Sequence, residues 1–141
     1  MPTIYSYLKA SDEFTTYTAQ GEGINELCTL DGVTYISVPD GGLAAEQPTQ
    51  ITLTPVVLTD ALKERIKTES PYCKLIYERM QARIREKYCA EDEMYFSRIS
   101  VGTLLGAYVF QPGEQQAVLD YGAYVESVRQ WGRDERAEVG L

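Results

Sequence analysis

The chain has 141 residues, of which 44% are hydrophobic, 24% are charged and 11% are aromatic. This composition is typical of one folded domain, and it excludes collagen, a coiled-coil rod and a disordered tail. Thirteen Lys and Arg against twenty-one Asp and Glu give a net charge of −8. Most of the surface therefore repels phosphate backbones, and we expect no binding to nucleic acid.

The charge is unevenly distributed along the chain. Residues 1–62 carry one base and eight acids, whereas residues 63–87 carry eight bases and four acids. Residues 88–141 are acidic again, with four bases and nine acids. A basic segment between two acidic ones favours contacts with oppositely charged protein surfaces, on other subunits or on a second copy of the chain.

The residue types that most often carry catalysis or bind metals are scarce. The chain has no His, and Cys28, Cys73 and Cys89 form no Cys-x-x-Cys pair, so neither a zinc site nor a disulfide framework is indicated. No Gly-x-Ser-x-Gly or phosphate-loop motif is present. We expect a non-enzymatic protein with no cofactor, metal or small-molecule ligand. The enzyme alternative requires a pocket lined by ionisable groups with shifted pKa values.

The sequence shows no signal for export or for membrane insertion. The start, Met1 to Ile4, lacks a basic region followed by an apolar run, and the longest apolar stretch, near Val101 to Phe110, is too short to span a bilayer. We therefore expect a soluble, cytosolic protein with reduced cysteines and no membrane partner.

Residues 1–58 are predicted to form a β-rich N-terminal region. The runs Glu26–Leu30 and Val33–Val38 are rich in strand-forming residues and are separated by Asp31-Gly32. Asp and Gly both tolerate the positive φ angles of a two-residue turn, so this segment predicts a hairpin. Further strands are predicted at residues 3–8, 14–18 and 51–54, the last stopped by Pro55.

Residues 59–141 are predicted to be helical. Thr59 or Asp60 caps a short first helix, and Ser70-Pro71 is a strong start signal for the second. The third helix is predicted to begin at residues 91–93, and the fourth to run from Glu114 to a C-terminal cap at Gly132. The whole is an α+β fold, a small antiparallel N-terminal β-sheet followed by a three- to four-helix C-terminal bundle, most simply one compact unit.

Helical periodicity also predicts which faces are buried. The third helix has apolar residues on every side, which is typical of a central, buried helix. Within it, Gly102 and Gly106 are expected to form a close-packing seam with the last helix, so that Gly106→Leu would be strongly destabilising by overpacking. The second helix has one apolar face, which comprises Cys73, Ile76, Tyr77, Met80, Ile84 and Tyr88.

Arg79, Arg83 and Lys87 recur at a spacing of four on the second helix and form a basic shoulder along one side of its apolar face. One interpretation is a docking surface for an acidic partner, RNA or phosphate. The other is a solvated face with local Lys74–Glu78 and Arg83–Glu86 pairs, each worth a few tenths of a kcal/mol.

The C-terminal segment from Arg133 to Leu141 is mostly polar and should fray if left in water, so something must hold it. One explanation is docking within the chain. The other, which we predict, is contact with another chain through this segment together with the basic shoulder or the acidic sheet region. Arg133, Arg136 and Glu138 are therefore candidate protein-interaction residues. On this hypothesis, deletion of residues 134–141 leaves the melting temperature of the isolated fold nearly unchanged and weakens association.

Residues 124–136, Tyr-Val-Glu-Ser-Val-Arg-Gln-Trp-Gly-Arg-Asp-Glu-Arg, form a short amphipathic helix with a charged tail. In this feature, residues 62–141 resemble small virion or assembly proteins of tailed bacteriophages. The resemblance implies a tail, neck or tail-assembly component of the virion, made in the bacterial cytoplasm and acting through contacts with other virion proteins or with copies of itself. The alternative is a small acidic inhibitor or adaptor that occupies the basic groove of a host protein.

Overall fold

A computed structural model describes the whole chain, Met1 to Leu141, and has the predicted α+β architecture. Six strands precede four helices, and all the helices follow the last strand. In chain order the elements are β1 (Thr3–Tyr7), β2 (Ala10–Ser11), β3 (Thr16–Tyr17), β4 (Asn25–Leu30), β5 (Val33–Val38), β6 (Thr54–Pro55), α1 (Asp60–Glu69), α2 (Pro71–Lys87), α3 (Ala90–Leu104) and α4 (Glu114–Glu138).

Four of the strands form one antiparallel sheet in the order β4-β5-β1-β6, and β2 pairs separately with β3. The predicted hairpin is confirmed: Asp31 and Gly32 have φ values of 52° and 81°, which a type I′ turn requires. The strand predicted at residues 51–54 is wrong in position, because β6 consists of Thr54 and Pro55. Pro55 is tolerated there since β6 lies at the sheet edge, where a ladder N–H is not needed.

Side chains cap the predicted helix starts. The Thr59 hydroxyl accepts a hydrogen bond from the Leu62 amide at the start of α1, and the Ser70 hydroxyl accepts one from the Cys73 amide in α2. At the start of α3 the Cys89 thiol and the Asp92 carboxylate form a reciprocal capping box. These three starts are confirmed to within one residue.

The chain divides into two compact units, whose boundaries fall within α2 and α4. The first unit comprises Met1–Ile76 and Asp134–Leu141. Its main core joins Ile4 and Leu27 of the sheet to Ile66 of α1 and to the C-terminal residues, so the division differs from a boundary at residue 58. A sheet this small needs helical cover to exclude water, and α1 supplies it by packing on β4.

The second unit, Tyr77–Arg133, contains the rest of α2, all of α3 and most of α4. Met80 and Ile84 of α2, Ile99 of α3 and Val128 of α4 are buried. The predicted apolar face of α2 is confirmed except at Tyr77, which is 61% exposed. Burial depends on what covers a face at each level, and periodicity does not encode that.

The prediction that α3 is a central helix is wrong. Ile99 is its one fully buried side chain, whereas Met94 and Val101 are each 54% exposed. Phe96 and Glu93 contact residues of α2 and α4, so these two helices cover one side of α3. The unit has no further helix to cover the other side of α3.

The predicted glycine seam is also wrong. Gly106 has a φ of +73°, directly follows the end of α3, and has open space where a Cβ would lie. Gly102 faces Tyr108 of the following turn, whose amide donates to the Gly102 carbonyl. Gly106→Leu is therefore disfavoured by the left-handed backbone, at a cost of about 1–2 kcal/mol, and not by overpacking.

Helix α4 does not end at Gly132 as predicted. Gly132 lies inside the helix, and a Cβ there would clash with the Met80 thioether of α2. The helix continues to Glu138, and Gly140, with a φ of +85°, reverses the chain after it. The glycine in the sequence pattern marks a close approach of two helices and not a helix end.

Candidate protein-interaction surfaces

The basic shoulder on α2 contacts aromatic side chains of α4. The Arg83 guanidinium carbon lies 3.8 Å from the centroid of the Trp131 ring, and the Lys87 ammonium lies 4.4 Å from the centroid of Tyr124. Both distances are typical of cation–π contacts, which are worth about 0.5–1 kcal/mol at exposed sites. The Tyr124 hydroxyl also donates to the Arg83 carbonyl, at 3.0 Å. Two of the three shoulder residues thus hold α4 against α2.

The third shoulder residue, Arg79, is exposed and forms no ion pair. The local Lys74–Glu78 and Arg83–Glu86 pairs, expected of a merely solvated face, do not form either. Arg83 contacts Trp131 and Lys87 contacts Tyr124, so the order of the partners is reversed along α4, as it is for antiparallel neighbouring helices.

The C-terminal segment is docked on its own chain, so of the two explanations for what holds it the structure shows docking within the chain. Val139 and Leu141 are 3% and 8% exposed and lie in the core cluster with Ile4 and Ile66. The Tyr72 hydroxyl donates to the backbone carbonyl of Glu135 in the same unit. The polarity of the segment reflects its solvent-facing positions, while two apolar residues anchor it.

The six predicted interaction residues are divided between the two units, with Arg136 and Glu138 in the first and the other four in the second. Arg133 belongs to the second unit and pairs with Glu126, which holds the pKa of that carboxyl below its usual value. Arg136 and Glu138 belong to the first unit, in the last turn of α4. Arg136 is half-buried and Glu138 is exposed.

A cluster of aromatic rings and carboxylates that the sequence did not reveal joins the helices of the second unit. Glu93 accepts a hydrogen bond from the Tyr121 hydroxyl at 2.7 Å and pairs with Arg85 at 2.8 Å, so α2, α3 and α4 meet at one carboxylate. The rings of Tyr88, Phe96, Tyr121 and Tyr124 pack beside it, with centroids 5.1–5.9 Å apart. Two of these pairs, Tyr88–Phe96 and Tyr88–Tyr121, are edge-to-face, a geometry that stabilises by about 0.5–1.5 kcal/mol for each pair.

A second carboxylate, Glu114, fixes the turn between α3 and α4. It accepts hydrogen bonds from the Tyr108 hydroxyl at 2.5 Å and the Gln111 amide at 2.6 Å, and also from the Tyr95 hydroxyl. Because Glu114 is in the first turn of α4, it also lies at the positive end of the helix dipole. Glu114, which the sequence predicts only as the first residue of the last helix, therefore organises the whole turn.

Burial raises the pKa of Tyr121 to about 12, and the hydrogen bond to Glu93 acts in the same direction. The neutral phenol is thus favoured in the folded state, and its contribution to stability is complete below pH 10 and is lost as the pH rises from 10 to 12. We expect Tyr121→Phe to flatten the fall in the free energy of unfolding over this range, measured by urea melts at several pH values. Tyr77→Phe is the matched control, because that ring is exposed. An equal flattening in both variants would contradict the prediction.

The outward side of α3 carries an exposed apolar surface, which we call the α3 stripe. It consists of Met94 and Val101, both 54% exposed, with Leu104 at 86% and Leu105 at 78% at the helix end. Contiguous apolar patches of a few hundred Å² mark binding surfaces on soluble proteins. The apolar pattern of the third helix predicts that these residues are buried, because a sequence does not distinguish an apolar residue buried within its own chain from one that a partner covers.

Among the shallow clefts of the first unit, two have a volume of about 430 Å³ each. One is lined mainly by hydroxyl and apolar groups and has no charged side chain. The other contains Asp31 and Arg65, which bond to each other at 3.2 Å. No group of three or more His, Cys, Asp or Glu side chains is placed to hold a metal ion.

None of the helices combines the length and hydrophobicity needed to cross a bilayer. Comparison with protein families, with curated proteins and with solved structures found no match for this chain.

Proposed function

We propose that this protein is a non-enzymatic structural or assembly protein that acts through protein–protein contacts, as a tail or neck component of a tailed bacteriophage. The observation that carries the proposal is the α3 stripe, because the chain itself leaves four large apolar side chains in water along one helix. Holding them there is unfavourable unless a partner covers them, at about 25 cal/mol for each Å² of apolar area. The assignment to a phage particle comes from the resemblance of residues 62–141.

The rest of the second unit supports this function by making the helix a rigid platform. Glu93 and Glu114 fix both ends of α3, and Arg83 and Lys87 hold α4 on α2. A surface held on a rigid element loses little conformational entropy on binding, so more of the contact energy appears as affinity.

Co-expression with the products of the neighbouring genes tests the proposal. We expect the chain to co-purify with at least one of them in a complex whose mass, measured by light scattering after size exclusion, is the sum of defined subunits. Val101→Glu in the α3 stripe should reduce the yield of that complex, whereas Val57→Glu, at a 91% exposed position in the first unit, should not. A chain that elutes as a monomer with every neighbouring product contradicts the proposal.

The acidic-inhibitor alternative has weaker support. A mimic of phosphate charge needs its acids free and on one face. Half of the eight acids in residues 1–62 are instead bound by groups of the same chain: Asp12 by the Tyr17 hydroxyl, Glu26 by Lys9, Asp31 by Arg65 and Asp40 by the N-terminal ammonium. These contacts favour a local structural role for much of the negative charge.

A further inference from the structure

We propose that the free edge of β4 binds an extended, basic segment of another protein, which adds to the sheet as a further strand in the cleft between β4 and α1. This surface belongs to the first unit and is separate from the α3 stripe, so the inference does not depend on the proposed function. It follows from two unused backbone groups of β4, from the cleft beside them, and from the charge of that cleft.

Thr29 offers a backbone N–H and a backbone C=O to an added strand. Leu30 and Val33 flank the two-residue turn and therefore form a hydrogen-bonded pair. Thr29 and Thr34 are the next, non-hydrogen-bonded pair, and their hydroxyls lie 3.1 Å apart, as the close approach in such a pair allows. The Thr29 N–H and C=O thus point away from β5, towards the sheet edge, and form no hydrogen bond within the chain. An added antiparallel strand can bond to both groups.

The cleft beside Thr29 has room for side chains of the added strand. Its volume is about 430 Å³, and it is lined by Thr29 and Leu30, by the turn that follows, and by one side of α1. Leu30 packs with Ile66 of α1, so the Thr29 side chain points to the opposite face of the sheet. The residue that pairs with Thr29 points to that face too, whereas its two neighbours point to the α1 side.

The charge of the cleft determines which side chains suit the α1 side. The lining carries three carboxylates and one guanidinium: Asp31, Glu64, Glu69 and Arg65. Arg65 is paired with Asp31 at 3.2 Å, and Glu64 is paired with Lys67 at 3.4 Å. Glu69 is exposed and forms no ion pair. A Lys or Arg on the α1 side of the added strand is therefore the complementary residue, and the same charge repels a phosphate group.

A second copy of this chain has no segment of this kind. Of the thirteen bases, twelve lie within helices, and the remaining one, Lys9, is paired with Glu26 at 2.9 Å. The β-bulge between Glu26 and Cys28 also interrupts the ladder, so regular pairing is limited to the end of β4 near the turn. Such a bulge disfavours continuous pairing with the edge of another whole sheet. The occupant that fits is a short extended segment of a different protein.

A titration of the ¹⁵N-labelled full chain with a synthetic peptide, acetyl-Thr-Val-Lys-Val-Lys-Val-Thr-amide, tests the inference by nuclear magnetic resonance. Its central Val is placed to pair with Thr29, which puts both Lys side chains on the α1 side. We expect saturable binding with a Kd on the order of 0.1–1 mM. The Thr29 amide proton should shift downfield, because it gains a hydrogen bond, and the amides of residues 64–69 should shift with it.

Two control peptides separate the backbone contact from the charge. Methylation of the central Val nitrogen removes the donor to the Thr29 carbonyl and should weaken binding at least about fivefold. Replacement of both Lys by Glu should weaken it at least about tenfold. Thr29→Pro removes the N–H donor from the protein and should also weaken binding at least about fivefold, since Pro is tolerated where a strand N–H has no partner.

A charge swap tests the position of the basic residue. Glu69→Lys should weaken binding of the Lys peptide about three- to tenfold and strengthen binding of the Glu peptide, whereas Glu46→Lys, at an exposed position of the same unit, should change neither by more than about twofold. Far-UV circular dichroism verifies that each variant is folded. An unshifted Thr29 amide, equal binding of the methylated peptide, or an equal effect of Glu46→Lys overturns the inference and leaves the α3 stripe untouched. A chain that binds the Lys peptide but no neighbouring gene product sustains it and contradicts the proposed role in a particle.

Discussion

Removal of residues 139–141 is expected to lower the free energy of unfolding by about 4 kcal/mol, because Val139 and Leu141 are buried side chains of the main core. Their loss exposes Ile4 and Ile66 and leaves a cavity where the chain end was. Native domains are stable by only about 5–15 kcal/mol, so the truncation removes a large fraction of the total stability. Urea or thermal melts followed by circular dichroism measure the effect.

Two substitutions separate packing from chain length. The double variant Val139→Ala with Leu141→Ala keeps the chain length. It should lower the free energy of unfolding by at least half as much as the truncation does. Glu138→Ala, at an exposed position in the same turn, should change the free energy of unfolding by less than about 0.5 kcal/mol. If the truncated chain melts like the full chain, the C-terminal segment is not part of the core and its docking is wrong.

Gly132→Leu is expected to destabilise the second unit by about 2 kcal/mol. A Cβ at this position would clash with the sulfur of the buried Met80 side chain and would lie only 3.1 Å from the Met80 Cε methyl group. The Met80 side chain must therefore move. Overpacking costs about 1–3 kcal/mol or more, which outweighs the gain of about 0.8 kcal/mol from replacing Gly in a helix. Equilibrium urea melts of the full chain measure the difference.

Gly122 is the matched control in the same helix. A Cβ there meets nothing within 4 Å, so Gly122→Ala should stabilise by up to about 1 kcal/mol through helix propensity. Combining Gly132→Leu with Met80→Ala should cost less than the sum of the two single changes, since the smaller residue makes room for the larger. Strict additivity, or a stabilised Gly132→Leu variant, would show that the two side chains do not compete for space.

Local signals account for the part of the fold that could be predicted. Asp31-Gly32 and Ser70-Pro71 act through the backbone conformations of two or three residues, and both are confirmed. Gly106 and Gly132 were misassigned because a glycine serves equally as a helix end and as a point of close approach. At Gly132 the close approach is made by Met80, which is 52 positions away along the chain, so no local pattern reveals it.

The candidate surfaces follow the same division. Arg83 and Lys87 were identified as a basic edge, but periodicity on one helix does not contain the rings on another that they contact. The sequence predicts that the α3 stripe is buried, because hydrophobicity indicates that a residue avoids water. It does not indicate whether another element of the chain or a partner buries that residue. Within this chain the stripe stays exposed, and the proposed function rests on that exposure.

The split of the first unit between the start and the far end of the sequence constrains how the chain is made. Val139 and Leu141 complete a core whose other members, such as Leu27 and Ile66, leave the ribosome much earlier. Until the intervening residues 77–133 have been translated, the sheet lacks part of its cover. Such contacts between distant segments slow folding and leave apolar surface open to aggregation. The nascent N-terminal region is therefore the part of the chain that needs a chaperone most during synthesis.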